Sequence, residues 1–328
     1  DDIQSMGQNA LCVESRPHAN FCKDEWWNDM TLILSECKKR NMDVWLLDDK
    51  YFPTGYVNGA IREKYPELHG RTMIERCLDV VGPLKDTYFQ IMYQHPSDRL
   101  IGVYAYPREE KGNRVTGKPI CLTDKVHGNR VYADIPEGIW RICYFIHTEQ
   151  FIDEDYINVV DERACELLIK EVYEPHYARF KEYFGNTFKG FFSDEPSFHN
   201  NYYEKKLSKG NVYDRRIGDV GLALLYSEEL LQWMEKELGE DPLPYFYGLW
   251  FDLEGESERI RHCYMNAATK LYRKNFSQKI GNWCRAHGVD YIGHVIEDNG
   301  CHARMTYGAG HYFRALSGQS MGGIDIVL

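Results

Sequence analysis

The chain has 328 residues, 43% of them hydrophobic and 27% charged, with 39 Lys and Arg against 50 Asp and Glu for a formal net charge of −11. That balance argues against nucleic acid as the main partner, because phosphate binding needs a basic surface, and no stretch approaches the roughly 18 uninterrupted apolar residues of a membrane helix. A neutral substrate such as a sugar is indifferent to the acidic field. The 14% aromatic content, with 24 Tyr and 7 Trp, supplies flat faces that either fill a core or stack on pyranose C–H faces.

The opening run DDIQSMGQNALCVES lacks the basic-then-apolar layout of a secretory leader. Ten cysteines are scattered without a CxxC pair, so a zinc ribbon or thioredoxin motif is excluded. Reduced thiols in a cytoplasmic protein are the expectation, with secretion the alternative if a leader was removed.

Ala10–Val13 reads as a first strand. EWWNDMTLILSECKKR, from Glu25 to Arg40, spaces Trp26, Met30, Ile33, Leu34 and Cys37 as a helix and ends on the basic cluster a helix C-terminus favours. MDVWLLDD then turns into a short buried strand ending in acids, so helix feeds strand as in a parallel α/β fold. Between Thr87 and Gln150 the runs YFQIMY, LIGVYAYP, RVYADIP and GIWRICYFIHTEQ are short, β-branched and aromatic, which predicts an antiparallel β insertion. The α/β rhythm resumes with YINVV (156–160) as a strand and an amphipathic helix over 162–184, kinked at Pro175. FKGFFSDEP is the next strand, followed by helical stretches at Gly221–Leu238 and Glu258–Ala286, the strand in VDYIGHVIEDNG, and a closing strand in GIDIVL.

Six candidate parallel strands alternating with helices point to a (β/α)8 TIM-type barrel, incomplete in this chain, since a full one needs eight. The expected organisation is barrel over 1–86, antiparallel insertion over 87–150, and barrel again over 151–328. A doubly wound sheet is the structural alternative, but no Gly-rich phosphate loop follows the first strands.

Three of these strands end in adjacent acids: Asp48-Asp49, Asp194-Glu195 and Glu297-Asp298. On one barrel rim such pairs repel unless they share protons, bind a cation or act on substrate. Glycoside hydrolysis needs one carboxyl that stays protonated to donate to the leaving oxygen and one that is ionised to activate water or attack the sugar. Glu195 suits the acid: Pro196 pins its loop, and Phe191, Phe192 and Phe198 would raise its pKa by desolvation. Glu297, followed by Asp298, Asn299 and Gly300, suits an ionised base. His294 reads as a sugar-hydroxyl contact or a satisfied core histidine, and regular alternation would turn Glu297 away from its face. His199, His302 and His311 are weaker candidates, and no HExxH pattern supports a zinc hydrolase. The loop DDKYFPTGYVNGA, with Tyr51, would shape a subsite. The Gly-rich tail around Arg304, His311 and Arg314 does not have the spacing of a nucleotide loop.

VWLLDDKYFPTGYVNGA is similar to the WxxYDExxWPSGxAGG signature of glycoside hydrolase family 106 and its unclassified α-L-rhamnosidase-like relatives. FFSDEP resembles that group's strand ending in an acidic pair before Pro, and GHVIEDNGCHARMTYGAGHYFRAL resembles its later GHxxEDxxxxxxxxxGDxxR segment. The resemblance implies a (β/α)8 barrel followed by β-sandwich domains, an oligosaccharide or glycoside substrate, and an inverting mechanism with Glu195 as acid and Glu297 as base. It implies a calcium ion near the sugar hydroxyls, with acids such as Asp194 able to serve. Asp48, Asp49, Tyr51, Asp194, His294, Asp298 and Arg314 are the substrate-binding candidates. FPTG stands for WPSG, Asp48-Asp49 for DE, and Gly310-His311 for GD, so the departures fall at subsite positions. A non-catalytic carbohydrate-binding barrel and a metal-dependent barrel lyase or isomerase are the readings from other classes.

Overall fold

The computed structural model describes residues 2–153, 155–199, 217–218, 220–296 and 308–325. A short helix α1 (Asp2–Ser5) leads into strand β1 (Ala10–Val13). Helix α2 (Asp24–Lys39) follows, with Trp26, Met30, Leu34 and Cys37 buried on one stripe. Asp24 and Glu25 occupy its first turn and Lys38 and Lys39 its last, which suits the helix dipole at both ends. Strand β2 (Asp43–Leu47) then pairs in parallel with β1.

After the short helix α3 (Ala60–Lys64) the chain leaves the parallel sheet. Strands β3 (Thr72–Gln90), β4 (Arg99–Pro107), β5 (Ile120–Cys121), β6 (Val126–His127) and β7 (Arg130–Thr148) form an antiparallel sheet. It begins at Thr72, earlier than the aromatic alternation from Thr87 suggests. RVYADIP and GIWRICYFIHTEQ, read as two strands, are one: β7 runs through Pro136 and Gly138 against β3, with register shifts between Gly82 and Leu84 and between Leu84 and Thr87. Bulges of this kind bend a long ribbon without ending it. A Cβ on Gly82 would sit 1.8 Å from the Pro136 carbonyl oxygen, so only glycine lets the strands approach there.

YINVV is not a strand. Ile157 makes a single bridge to His69, and the segment then turns into helix α4 (Glu162–Leu168). The reason is local: the Asn158 Nδ2 donates to the Tyr226 carbonyl at 2.7 Å, its Oδ1 accepts from the Val160 N–H, and Asp161 caps α4. An Asn side chain competing for the backbone favours a turn over a ladder, however apolar its neighbours. A π turn (Ile169–Tyr173) joins α4 to α5 (Glu174–Phe180), and it precedes the expected kink at Pro175.

Strand β8 (Phe188–Asp194) returns to the parallel sheet beside β2. The stretch from Gly221 is not helical at its start. Leu224–Leu225 is strand β9, antiparallel to β3, and helix α6 (Glu228–Leu238) begins only after Ser227, whose hydroxyl accepts from the Leu230 N–H. Helices α7 (Ser257–Leu271) and α8 (Gln278–Ala286), joined by a second π turn, lead to strand β10 (Asp290–His294). Helix α9 (Tyr312–Ala315) precedes strand β11 (Met321–Gly322). The last strand is thus earlier than GIDIVL, of which residues 326–328 lie outside the described residues.

The molecule is a mixed α/β structure. Its parallel sheet has the order β1-β2-β8-β10-β11, every neighbour parallel and in chain order. A doubly wound sheet reverses its strand order at a switch point, and this one does not. Among the described residues five parallel strands stand where six were expected, and the sheet is open, not a closed barrel of eight. The antiparallel sheet shares the main core: Met73, Tyr104, Tyr106 and Phe145 pack with Phe246, Tyr247 and Trp250, and the Phe145 and Trp250 rings stack at 5.9 Å.

Candidate active site

In parallel β/α sheets functional groups gather at the C-terminal strand ends. There the register pairs His294 with Asp194 on neighbouring strands, and the His294 Nε2 lies 2.9 Å from the Asp194 Oδ1. Arg16, in the loop after β1, reaches the Asp194 Oδ2 at 2.8 Å, and its guanidinium lies 5.5 Å from the centroid of the Phe52 ring. Burial works to raise the Asp194 pKa, but the bond from His294 and the charge of Arg16 outweigh it and hold the carboxyl below its ordinary value. Asp194 is therefore a carboxylate at neutral pH.

Glu195 follows, half-buried, with φ at 54°. A left-handed backbone at a non-glycine residue costs about 1 kcal/mol or more and persists only where its surroundings hold it. Here they do. The buried Tyr272 hydroxyl donates to the Pro196 carbonyl at 3.1 Å, the Ser197 N–H donates to the Tyr156 hydroxyl at 3.1 Å, and the Phe198 N–H donates to the Gly308 carbonyl at 3.0 Å. His199, at the far end of this loop, is also left-handed with φ at 51°. Its Nε2 lies 3.2 Å from the Tyr56 hydroxyl, which donates to Asp153 at 2.6 Å. Against the effect of burial, the bonds from His199 and Tyr56 hold Asp153 down at about 2, so a carboxylate is fixed beneath the loop.

The first acidic pair has another task. Asp48 is fully buried, and its carboxylate accepts from Thr54 Oγ1 at 2.7 Å, Tyr173 Oη at 2.7 Å and Ser193 Oγ. Asp49, also fully buried, accepts the backbone N–H groups of Gly55 at 2.9 Å, Val57 at 2.8 Å and Asn58 at 3.0 Å. Asp49 thus folds the loop that Asp48 ties to β8. Both were candidates for substrate contact, and both spend their oxygens on the protein. Burial pushes Asp48 up to about 7 and also raises Asp49.

The other expected groups scatter. Tyr51 lines a separate pocket of about 360 Å³ with Trp27, Lys64 and Arg179. Arg314 donates to Asn266 Oδ1 at 2.7 Å and Thr269 Oγ1 at 2.8 Å, pinning α9 to α7. Of the three phenylalanines expected to desolvate Glu195, Phe191 turns to the helix layer and stacks on Tyr173 at 4.0 Å. Phe198 meets Tyr272 edge-on, and Phe192 lies 5.9 Å from His294. Strand alternation sends Phe191 and Phe192 to opposite faces. Glu297, Asp298 and His302 lie outside the described residues.

Two participants were missed. Arg16 lies in the loop after a strand that was read only for its apolar run, although ESR directly after ALCV is a charge-rich stretch at a strand's C-terminal end. Asp325 was read as part of a strand. One of its carboxylate oxygens, one of Glu195 and a ring nitrogen of His294 all fall within 4.8 Å of one another, a group that could hold a cation. Two carboxylates and one imidazole suit a divalent transition metal better than calcium, which takes six to eight oxygens.

No protein-family model matches the chain, and no curated protein matches it. Its fold is similar to that of a rhamnosidase from Novosphingobium sp. PP1Y, with a TM-score of 0.61 over 91% of this chain at 10% sequence identity. The chain spans 43% of that protein's length. At that identity the likeness is one of fold alone.

Proposed function

We propose that the chain is the catalytic part of a glycoside hydrolase, with Glu195 as general acid and Glu297 as general base of an inverting reaction. The observation that carries this reading is Glu195 held in a strained backbone at the end of β8, directly beside the Asp194–His294 pair. Strain at a strand end, maintained by three separate hydrogen bonds to its loop, is a feature of sites where geometry matters more than stability. In this reading Asp194 is the ionised neighbour and Glu195 the carboxyl that keeps its proton to donate it. Glu297 follows His294 by three residues in the sequence, and an inverting pair needs carboxyls about 6.5–9.5 Å apart with room for water. The fold likeness to a rhamnosidase agrees with this class, and an α-L-rhamnoside is the first substrate to try. The five chain-ordered strands would then be one arc of a (β/α)8 barrel, with β-sandwich domains elsewhere in the protein.

In this reading Arg16 and His294 hold Asp194 in place, and Phe52 and Phe192 offer ring faces to a sugar. Glu195→Gln and Glu297→Gln are expected to lose at least ~10³-fold in kcat on an aryl glycoside with the fold intact. Near-wild-type turnover in either would overturn the assignment, and binding of glycans without turnover by the wild type would favour a carbohydrate-binding barrel instead.

The Glu195–His294–Asp325 cluster favours a second reading, a metal-dependent lyase or isomerase. Chelation separates the two: activity abolished by chelator and restored by a divalent cation, with no glycoside cleaved, points to the metal enzyme.

A further inference from the structure

The two long strands of the antiparallel sheet each carry a cysteine at facing positions: Cys77 on β3 is the register partner of Cys143 on β7. Their sulfurs lie 2.7 Å apart. Facing residues of antiparallel strands have Cα atoms about 4.5–5.5 Å apart, within the span a disulfide bridges. Among the described residues no other two cysteine sulfurs are in contact. Cys77 is exposed and Cys143 is fully buried beneath it.

We propose that Cys77 and Cys143 are a redox pair that closes to a cross-strand disulfide when presented with a disulfide oxidant such as oxidised glutathione. Exposure makes Cys77 the point of entry. Its thiolate attacks one sulfur of the glutathione disulfide, forming a mixed disulfide and releasing one glutathione thiolate, which takes up a proton. Cys143 then gives up its proton and attacks the Cys77 sulfur, expelling the second glutathione. The two protein thiols are oxidised and one glutathione disulfide is reduced to two thiols. Only the thiolate attacks, and burial holds Cys143 well toward the thiol, so the second step is the slow one. Once closed, the bond has one sulfur inaccessible to reductant. It also joins residues 66 positions apart, a long loop whose constraint disfavours the unfolded chain.

The test uses the purified chain, reduced and then equilibrated in oxidised glutathione. Thiol titration is expected to fall from the ten cysteines of the sequence by two, with a peptide map showing the Cys77–Cys143 cross-link. The oxidised form should melt about 5 °C higher, reversed by dithiothreitol. Cys143→Ala is expected to stop at the mixed disulfide, retaining one glutathione on Cys77, and Cys77→Ser to form neither species. Cys77 is exposed, so its variant should fold even if the Cys143 variant does not. Retention of all ten thiols, a cross-link mapping to another pair, or equal oxidation of Cys77→Ser would each overturn the proposal.

Discussion

Replacing Asp48 with Asn should change not the fold but the way stability depends on pH. The Asp48 carboxyl is fully buried under three hydroxyls, and burial lifts its pKa from 3.8 to about 7. Because the folded value lies above the unfolded one, folding takes up a proton between them. The associated stability is complete below pH 3.8 and drains as pH climbs through about 7. Each pH unit in that window is worth about 1.4 kcal/mol, so Asp48 makes wild type lose ~3 kcal/mol between pH 4.5 and pH 8. Tyr173 and Ser193 share one Asp48 oxygen, so the Asn oxygen placed there keeps both bonds, and its amide then donates to the Thr54 hydroxyl, which turns from donor to acceptor at little cost. Urea unfolding of both proteins at pH 4.5, 6 and 8 isolates the effect, since every other titrating group cancels in the difference. Asp48→Asn should gain ~3 kcal/mol on wild type across that range. Parallel curves, within about 0.5 kcal/mol, would refute burial as the dominant influence on this carboxyl.

Glu195→Gly should stabilise the chain by ~1 kcal/mol in urea while abolishing turnover, because glycine adopts the left-handed backbone without penalty; a loss of stability would show that the loop is not strained. His176, buried against Trp26 Nε1 at 2.9 Å, has its pKa lowered by burial to about 4. Its stability contribution is present above pH 6.5 and lost as pH falls through about 4, so His176→Gln should flatten the acid limb of a melting-temperature profile. Gly190→Ala would place a Cβ 2.0 Å from the Asp290 carbonyl oxygen and 2.8 Å from the Trp45 ring. The resulting separation of β8 and β10 should cost at least ~3 kcal/mol, read as insoluble expression or a strongly lowered melting temperature.

Much of the parallel sheet was legible because its strands are short apolar runs that stop at acids. FKGFFSDEP became a strand ending at Asp194, and VDYIGHVIEDNG one ending at His294, three residues before its acidic pair. YINVV carries the same apolar signal, but Asn158 bonds the backbone around it, and hydropathy does not register hydrogen bonding. The acidic pairs showed where the strands end but not which way their oxygens turn. Asp48 faces Tyr173 on the helix side and Asp194 faces Arg16 and His294. That difference depends on the face each strand end presents, which only the packed sheet decides. Arg314 illustrates the converse, since a candidate for substrate contact in a Gly-rich stretch bonds Asn266 and ties two helices together.

Apart from the two-residue β9, which a later part of the chain lays beside β3, the antiparallel sheet enters and leaves the parallel one at nearly the same place, for Thr72, where β3 begins, is the register partner of Thr148, where β7 ends. Topologically it is a detachable module: cut at those two threonines, the flanking chain could be rejoined by a short turn. Energetically it is not, because its inner face supplies Phe145 to Trp250 and Tyr106 to Tyr247, rings 5.9 and 4.9 Å apart. Excision would leave a bare aromatic floor on the remaining half. The two sheets are joined like a lid cast onto its vessel, easily traced as separate pieces yet unable to be parted dry.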